Sequence, residues 1–217
     1  MTKPEDGGFS GEGWSVKKIN STIGKRFIRK HHYSRSCHNG PMCYGLFKED
    51  DLLVGVLAFA TPCSENVRAS VYGPERKSEV TELHRLVILD GTKTNAESWF
   101  IAKALKLLKR DRPGYSAVIS FADETQGHVG TIYKATNALY QGTTAKAWFF
   151  RDQENRLRHP RQNGHNVTKE EAEEWGWTRE RREAKHRYLF LLGSSSQKRR
   201  NQSALTKPIK KYPSARE

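Results

Sequence analysis

The chain has 217 residues, enough for one well-cored domain with an extension. Its formal charge of +14, from 38 Lys and Arg against 24 Asp and Glu, is unusual for a metabolic enzyme and points to a polyanionic partner, nucleic acid before a membrane surface. Cys37, Cys43 and Cys63 include no C-x-x-C pair, which argues against a disulfide framework or a structural zinc site. No apolar run is long enough to span a bilayer, and the polar start of the chain has no signal-peptide core.

Residues 1–13 are Gly-rich and polar and read as a flexible N-terminus. Lys17 to Tyr33 reads as a helix or helix pair with Ser21 as its N-cap and Ile23, Phe27 and Ile28 on one face. Gly40-Pro41 closes a turn region. Met42–Phe47 and Leu53–Phe59 follow as two strands joined by a polar hairpin connection at Lys48–Asp51. Cys63 to Ser78 reads as irregular. Glu82–Leu89 alternates and then becomes continuously apolar, as a strand entering the middle of a sheet does. Thr94-Asn-Ala-Glu97 has capping-box spacing and opens a helix to about Arg110, with Phe100, Ile101, Ala104, Leu105 and Leu108 on one face. Tyr115–Phe121 is the next strand, Gly130–Leu139 a helix ended near Gly142, and Lys146–Phe150 a strand. Residues 151–187 read as charged and irregular, with one acidic helical turn at Lys169–Trp175. His186–Leu192 is the last strand. From Ser194 on, seven basic residues stand against Glu217, the pattern of a disordered basic tail.

This order specifies one α/β domain over residues 14–193: a mixed twisted sheet with antiparallel N-terminal strands and a parallel central strand–helix–strand unit, followed by the tail at 194–217. Within it, Ser120 to Tyr133 concentrates chemistry. A strand ends there in a carboxylate, Asp123, and ligands of α/β proteins bind at such strand ends. Gly127 and Gly130 allow a sharp bend or a close approach, His128 supplies an imidazole, and Tyr133 falls in the next helix. A plain strand-to-helix turn with a capping Asp is the competing reading.

The words Lys30-His-His-Tyr33, Tyr44-Gly-Leu-Phe47, Gly55-Val-x-x-Phe59-x-Thr61-Pro62, Glu82-Leu-x-Arg85-Leu, Asn95-x-Glu-Ser98-Trp-Phe100, Ser120-x-Ala-Asp123, Gly127-His-x-Gly130-x-x-Tyr133 and His186-Arg-Tyr188 occur in this order. Together, over about residues 14–192, they resemble the bacteriophage Mom proteins, GNAT-like DNA-modification proteins. The resemblance implies a GNAT-like acyltransferase fold and a transferase that converts adenine in duplex DNA to N6-carbamoylmethyladenine, shielding phage DNA from host restriction endonucleases. It places the protein in the cytoplasm of the phage-infected host, with double-stranded DNA as partner, the adenine flipped out, and the oligomeric state open, a dimer included.

The resemblance also implies site residues. Asp123, Tyr133, Arg85, Ser98, Tyr44 and Tyr33 are the catalytic candidates. Ser98, in the first turn of its helix, and Asn95 and Arg85 are the candidates for holding a donor, acetyl-CoA or another CoA-type or glycine-derived molecule. Ser98 has a capping alternative, and Arg85, set in an apolar strand, calls for Asp123, Glu82 or a ligand phosphate as partner. The loop before that helix, Asp90-Gly-Thr-Lys-Thr94, has one glycine where the superfamily is Gly-rich. Iron(II) is implied with His32 and Asp123 as ligands and a third from His31, His84 or His128. Tyr44 and Tyr133 each have a core-packing alternative. Arg151, Arg156, Arg158, Arg181, Arg182, Lys185 and Arg187 are the candidates for DNA phosphates. Two other functions fit the same chain: a conventional GNAT N-acetyltransferase acting on a protein, RNA or small amine, and a non-catalytic DNA-binding protein.

Overall fold

The computed structural model describes residues 11–49, 51–62, 64–92, 95–123, 129–162 and 164–213. Cys63, Thr94, Gly127 and His128 thus lie outside the described residues, and the capping box expected at Thr94 with them.

A seven-stranded sheet carries the domain. Its strands are β1 (Trp14–Ile19), β2 (Met42–Lys48), β3 (Leu52–Ala60), β4 (Val80–Ile88), β5 (Ala117–Asp123), β6 (Leu139–Thr143) and, much later in the chain, a strand at Lys185–Leu191 that inserts between β5 and β6. Only β4 and β5 run parallel; every other neighbouring pair is antiparallel. This is the mixed sheet expected, with antiparallel N-terminal strands and the parallel pair joined by the long helix.

Alternation along the strands sends side chains to two faces. Val56 and Ala58 pack with Cys43 under Ile28 of α1 (Ser21–His31). Ala117, Ile119 and Leu189 pack under Val71 and Tyr72 of α2 (Glu65–Tyr72), which a 3-10 turn at Pro74–Glu79 links to β4. The opposite face of the sheet gives Leu57, Phe59, Leu83 and Val118 to Phe100, Ile101, Ala104 and Leu108 of α3 (Ala96–Asp111). These four α3 residues are wholly buried, each larger one stabilising the fold by roughly 1.5–3 kcal/mol. The short α4 (Thr131–Ala135) follows β5 on that face.

Several expected elements differ. Trp14–Ile19 is an edge strand that takes in Lys17–Ile19, the expected start of the first helix; Lys17 and Lys18 disguise it, as charges on an edge strand do. Asn20 caps α1, its side chain accepting from the Thr22 amide at 2.8 Å, so Ser21 is the first helical residue. The segment expected to be irregular holds α2, and the helix expected to Leu139 stops at Ala135 and turns into β6.

The charged stretch after β6 is a built module. A three-stranded sheet, in order β11-β7-β8, combines β7 (Ala147–Arg151), β8 (Leu157–Arg158) and β11 (Thr178–Arg182), and β9 (Arg161–Gln162) pairs with β10 (His165–Asn166). Helix α5 (Lys169–Glu174), opened by the Thr168/Glu171 capping box, packs Ala172 against Phe150 and Val167, with Trp175 and Trp177 alongside. The inserted sheet strand Lys185–Leu191 is β12.

The tail is likewise folded from Ser195 through residue 213, where disorder was expected, and residues 214–217 lie outside the described residues. Ser194 and Gln197 form a capping box for α6 (Ser195–Ser203). The chain then docks: the Thr206 amide donates to Val71 O at 3.1 Å, the Lys210 amide to Tyr140 O at 2.8 Å, and the Tyr212 hydroxyl to Ala138 O. Leu205 and Tyr212 pack on the two faces as its apolar anchors.

Tyr44 is an internal tie rather than part of a cleft. It is wholly buried, and its hydroxyl donates to Asp111 at 2.9 Å, linking β2 to the end of α3. Burial, then the hydrogen bond to Asp111, raises its pKa. Burial pushes the Asp111 carboxyl up, but the bonds from Tyr44 and Arg110 outweigh it and hold the group below the usual carboxylate range. Tyr44→Phe is expected to cost about 1 kcal/mol near neutral pH, the lower end for a bond to a charged group because water screens this helix end. A carboxylate with a depressed folded pKa stabilises above its unfolded value of about 3.9 and loses that contribution as pH falls through the folded value. Urea melts should therefore show the Tyr44→Phe deficit shrinking in acid. A deficit constant down to pH values below both would contradict the tie.

Candidate active site and cationic surface

The central opening follows from register. β4 and β5 pair from Val80↔Ala117 to Leu83↔Ser120 and then part, β4 running on to Ile88 and β5 to Asp123. Side chains beyond Leu83 and Ser120 thus face a gap at the carboxyl ends of two parallel strands, where α/β proteins place ligands.

Four of the six catalytic candidates converge here. Asp123 ends β5, its carboxylate 11% exposed and paired with Arg182 at 3.1 Å and Lys185 at 3.4 Å. Tyr33 follows α1 and is 61% exposed. Burial of part of its ring and the Asp123 charge raise its phenol pKa, while Arg85 and Arg182 oppose the rise, so all four groups share one electrostatic neighbourhood. Tyr133 is buried and hydrogen-bonded to Ser120, and burial raises its pKa, with Tyr33 and Glu82 adding to it. Its ring packs on Tyr188 at 5.0 Å and Phe190 at 6.0 Å. Both phenols stay protonated at neutral pH, so they offer donors and faces rather than bases.

Arg85 does not pair with Asp123 or Glu82. Its Nε donates to Ser34 Oγ at 3.1 Å and Ser36 O at 3.0 Å, and its terminal nitrogens to His84 O and Ser36 Oγ. It pins the loop after α1, and so holds Tyr33 over the gap. Glu82 and His84, 3.5 Å apart, stand on the same strand, with His38 edge-on to His84 at 5.7 Å. The word Glu82-Leu-His-Arg85 carried this cluster in the sequence, with Arg85 as a catalytic candidate, His84 as one choice for a metal ligand and Glu82 as a possible partner of Arg85.

His32 caps α1, and its Nδ1 accepts from the Ser34 amide at 3.1 Å with Ser34 Oγ at 2.9 Å. Among the described residues no three His, Cys, Asp or Glu side chains are grouped to hold a metal. Nδ1 of His32 is bonded to Ser34 and Asp123 faces two cations; the expected iron site is thus not assembled among the described residues, and His128, one candidate for its third ligand, lies outside them.

Asn95 is the N-cap of α3 in the left-handed region, at φ +73°, and makes no side-chain cap bond. Ser98 Oγ donates to Asn95 O at 3.0 Å, as its capping alternative has it. The amides of residues 96–98 are therefore the donors this helix start presents to an anion, with Glu97 in the same turn working against one.

The expected phosphate-binding arginines separate into distinct groups. Arg187 is corrected to a structural residue: it is buried, donating to Gln141 Oε1 at 2.9 Å and Ser70 Oγ at 2.8 Å, and burial lowers its pKa to about 10. Arg156 and Arg158 close on Asp152, a carboxylate covered by its own loop, not sunk in the core. Burial would raise Asp152, and bonds from Arg156 and Arg158 hold it far below the usual range. Arg151 pairs with Glu180. Arg182 and Lys185 face Asp123, so they belong to the site more than to a phosphate track. Arg181 is exposed opposite Trp148 in the β7–β11 register, and Arg179 lies 4.0 Å and Arg181 5.7 Å from that ring. Trp148 is 42% exposed, so this face of the module combines an open aromatic with two guanidinium groups.

The family model of the Mom protein family matches residues 13–214. The methylcarbamoylase Mom of Escherichia phage Mu is 30% identical over 148 residues, which is 68% of this chain and 61% of the relative, so the match spans less than two thirds of that protein's length. Among solved structures, a spermidine N-acetyltransferase from Vibrio cholerae is 11% identical with a TM-score of 0.47, covering 83% of this chain and 94% of that one. An N-acetyltransferase from Staphylococcus aureus Mu50 is 9% identical with a TM-score of 0.46, covering 82% and 97%. The match along nearly its whole length shows that this chain belongs to the Mom protein family.

Proposed function

We propose that this protein is a transferase that attaches a carbamoylmethyl group to N6 of adenine in duplex DNA and so protects phage DNA from host restriction endonucleases. The observation that carries the reading is the gathering of Tyr33, Arg85, Asp123 and Tyr133 at the β4–β5 gap in a chain of the Mom family. In this reading the N6–CH2 bond forms as the donor's bond to that CH2 breaks, and N6 gives up one proton. Asp123 accepts that proton, directly or through a water, while Arg182 and Lys185 orient its carboxylate.

N6 lies inside the duplex, so the adenine must leave the stack to reach the gap. Tyr33, exposed and held by the Arg85-pinned loop, offers the face on which an extruded base stacks. The Trp148 face of the module, with Arg179 and Arg181, meets the flanking DNA. A CoA-type donor would be held by its pyrophosphate on the amides of residues 96–98, and would supply the leaving group. Among the described residues no helix is long and apolar enough to cross a membrane, in keeping with work on DNA inside the infected host.

Plasmid DNA recovered from cells expressing the protein should resist restriction enzymes that cut at adenine-containing sites. Complete cutting, with folded protein present in the cells, would overturn the proposal.

A further inference from the structure

The module and the site use most of their cations internally, yet the other flank of the gap carries a set that is not so used. Helix α1 presents Lys25, Arg26, Arg29 and Lys30, with no acid in its first turn and Arg29, Lys30 and His31 in its last. None of the four is engaged in an ion pair or hydrogen bond among the described residues, whereas Arg151, Arg156, Arg158, Arg182, Arg76 and Lys77 all pair with carboxylates. With Thr22 they line a shallow concavity of about 570 Å³. The i, i+4 spacing of Lys25 with Arg29 and of Arg26 with Lys30 sets two cation pairs each about 6 Å apart along the helix axis.

Position singles this helix out. α1 runs straight into His32 and Tyr33, and so ends at the gap. The Cys37 thiol feels Arg85 together with Lys25 and Arg29, which places the site arginine and the helix cations in one continuous field. The exposed cations of α6 (Lys198, Arg199, Arg200) lie at the other end of the sheet: α6 follows Leu191, which pairs with Ala117 at the start of β5, whereas Lys185 pairs with Asp123 at its end.

We infer that Lys25, Arg26, Arg29 and Lys30 of α1 form a track for the phosphate backbone of duplex DNA, holding the strand beside the base that enters the gap. The inference rests on the DNA reading above and extends it to a helix face of which the motifs mark only Lys30. Phosphate contacts of this kind position the duplex without reading its sequence, and each neutralised phosphate adds about 0.9 to the slope of log K against log salt.

The experiment titrates full-length protein with a labelled random-sequence duplex over a salt series. It uses wild type, the doubles Lys25→Gln/Arg29→Gln and Arg26→Gln/Lys30→Gln, the quadruple, and Arg26→Lys/Arg29→Lys. The quadruple should flatten the slope by about 3 to 4, each Gln double by about half of that, and the Lys variant should keep the wild-type slope. The doubles preserve the test if the quadruple fails to fold. Wild-type slopes in folded Gln variants overturn the track and leave the proposed activity standing. A flattened slope in a protein that modifies no DNA keeps the track and removes the activity. Wild-type protein that does not bind duplex DNA overturns both.

Discussion

Asp123→Asn is expected to reduce carbamoylmethyl transfer by about two to four orders of magnitude, the usual worth of a positioned general base. The substitution keeps size and hydrogen-bonding capacity at the end of β5 but removes the acceptor charge that Arg182 and Lys185 face. Those two cations reach the strand end from β11 and β12, and the Lys185↔Asp123 register is fixed by pairing along the whole of β12. The fold should therefore survive, and retention on duplex DNA should be unchanged or slightly stronger, because one negative charge is gone from a cationic surface. Transfer assayed on duplex DNA, with binding measured in parallel, separates the two effects. Wild-type transfer by Asp123→Asn would remove Asp123 from the chemistry. Loss of binding together with transfer would make it a structural residue instead.

Gly130→Ala should produce the largest stability loss of any single methyl addition near the site. Gly130 caps α4 at φ +81°, and a Cβ there would stand 2.4–2.7 Å from the ring and hydroxyl of Tyr188. That ring is locked. Tyr188 is buried, its hydroxyl donates to Val129 O, and Tyr133 and Tyr140 pack against it at 5.0 and 5.2 Å. Left-handed strain of about 1–2 kcal/mol adds to overpacking of about 1–3 kcal/mol. At about 2–4 °C per kcal/mol for a domain of this size, the melting temperature should fall by about 4–20 °C. Because Tyr188 supports Tyr133 directly, transfer should weaken as well. A calorimetric melt within about 2 °C of wild type would mean that Tyr188 can move aside, and that Tyr133 is not held by this contact.

The centre of the fold was legible because its elements are long and apolar. The runs Met42–Phe47, Leu53–Phe59 and Glu82–Leu89, and the α3 face, announced strands and a helix that the structure keeps with shifts of a residue or two. The same pattern put Asp123 at a strand end and Tyr133 in the following helix. Elsewhere the apolar signal fades. β1 carries Lys17 and Lys18, and β11 reads Thr-Arg-Glu-Arg-Arg and is held by pairs across strands, Arg151 with Glu180 and Arg181 beside Trp148, which no single segment announces. The tail folds on two apolar anchors, Leu205 and Tyr212, amid basic residues. At the site, residue types were legible but partners were not. Arg85 was expected to meet a carboxylate or a ligand phosphate, and in the structure it pins Ser34 and Ser36. Arg187 looked like a surface cation and is buried on Gln141 and Ser70, because its strand lies inside the sheet. The α1 cations have a readable spacing but share their segment with the apolar face that marks it as a helix.

Nucleoside mass spectrometry of DNA from a host expressing the wild-type chain, beside the same host expressing Asp123→Asn, tests the central claim most directly. The wild-type sample should contain a deoxyadenosine heavier by a carbamoylmethyl group less one hydrogen, and the variant sample should lack it. Unmodified deoxyadenosine alone in the wild-type sample, with folded protein confirmed in the cells, would contradict the account.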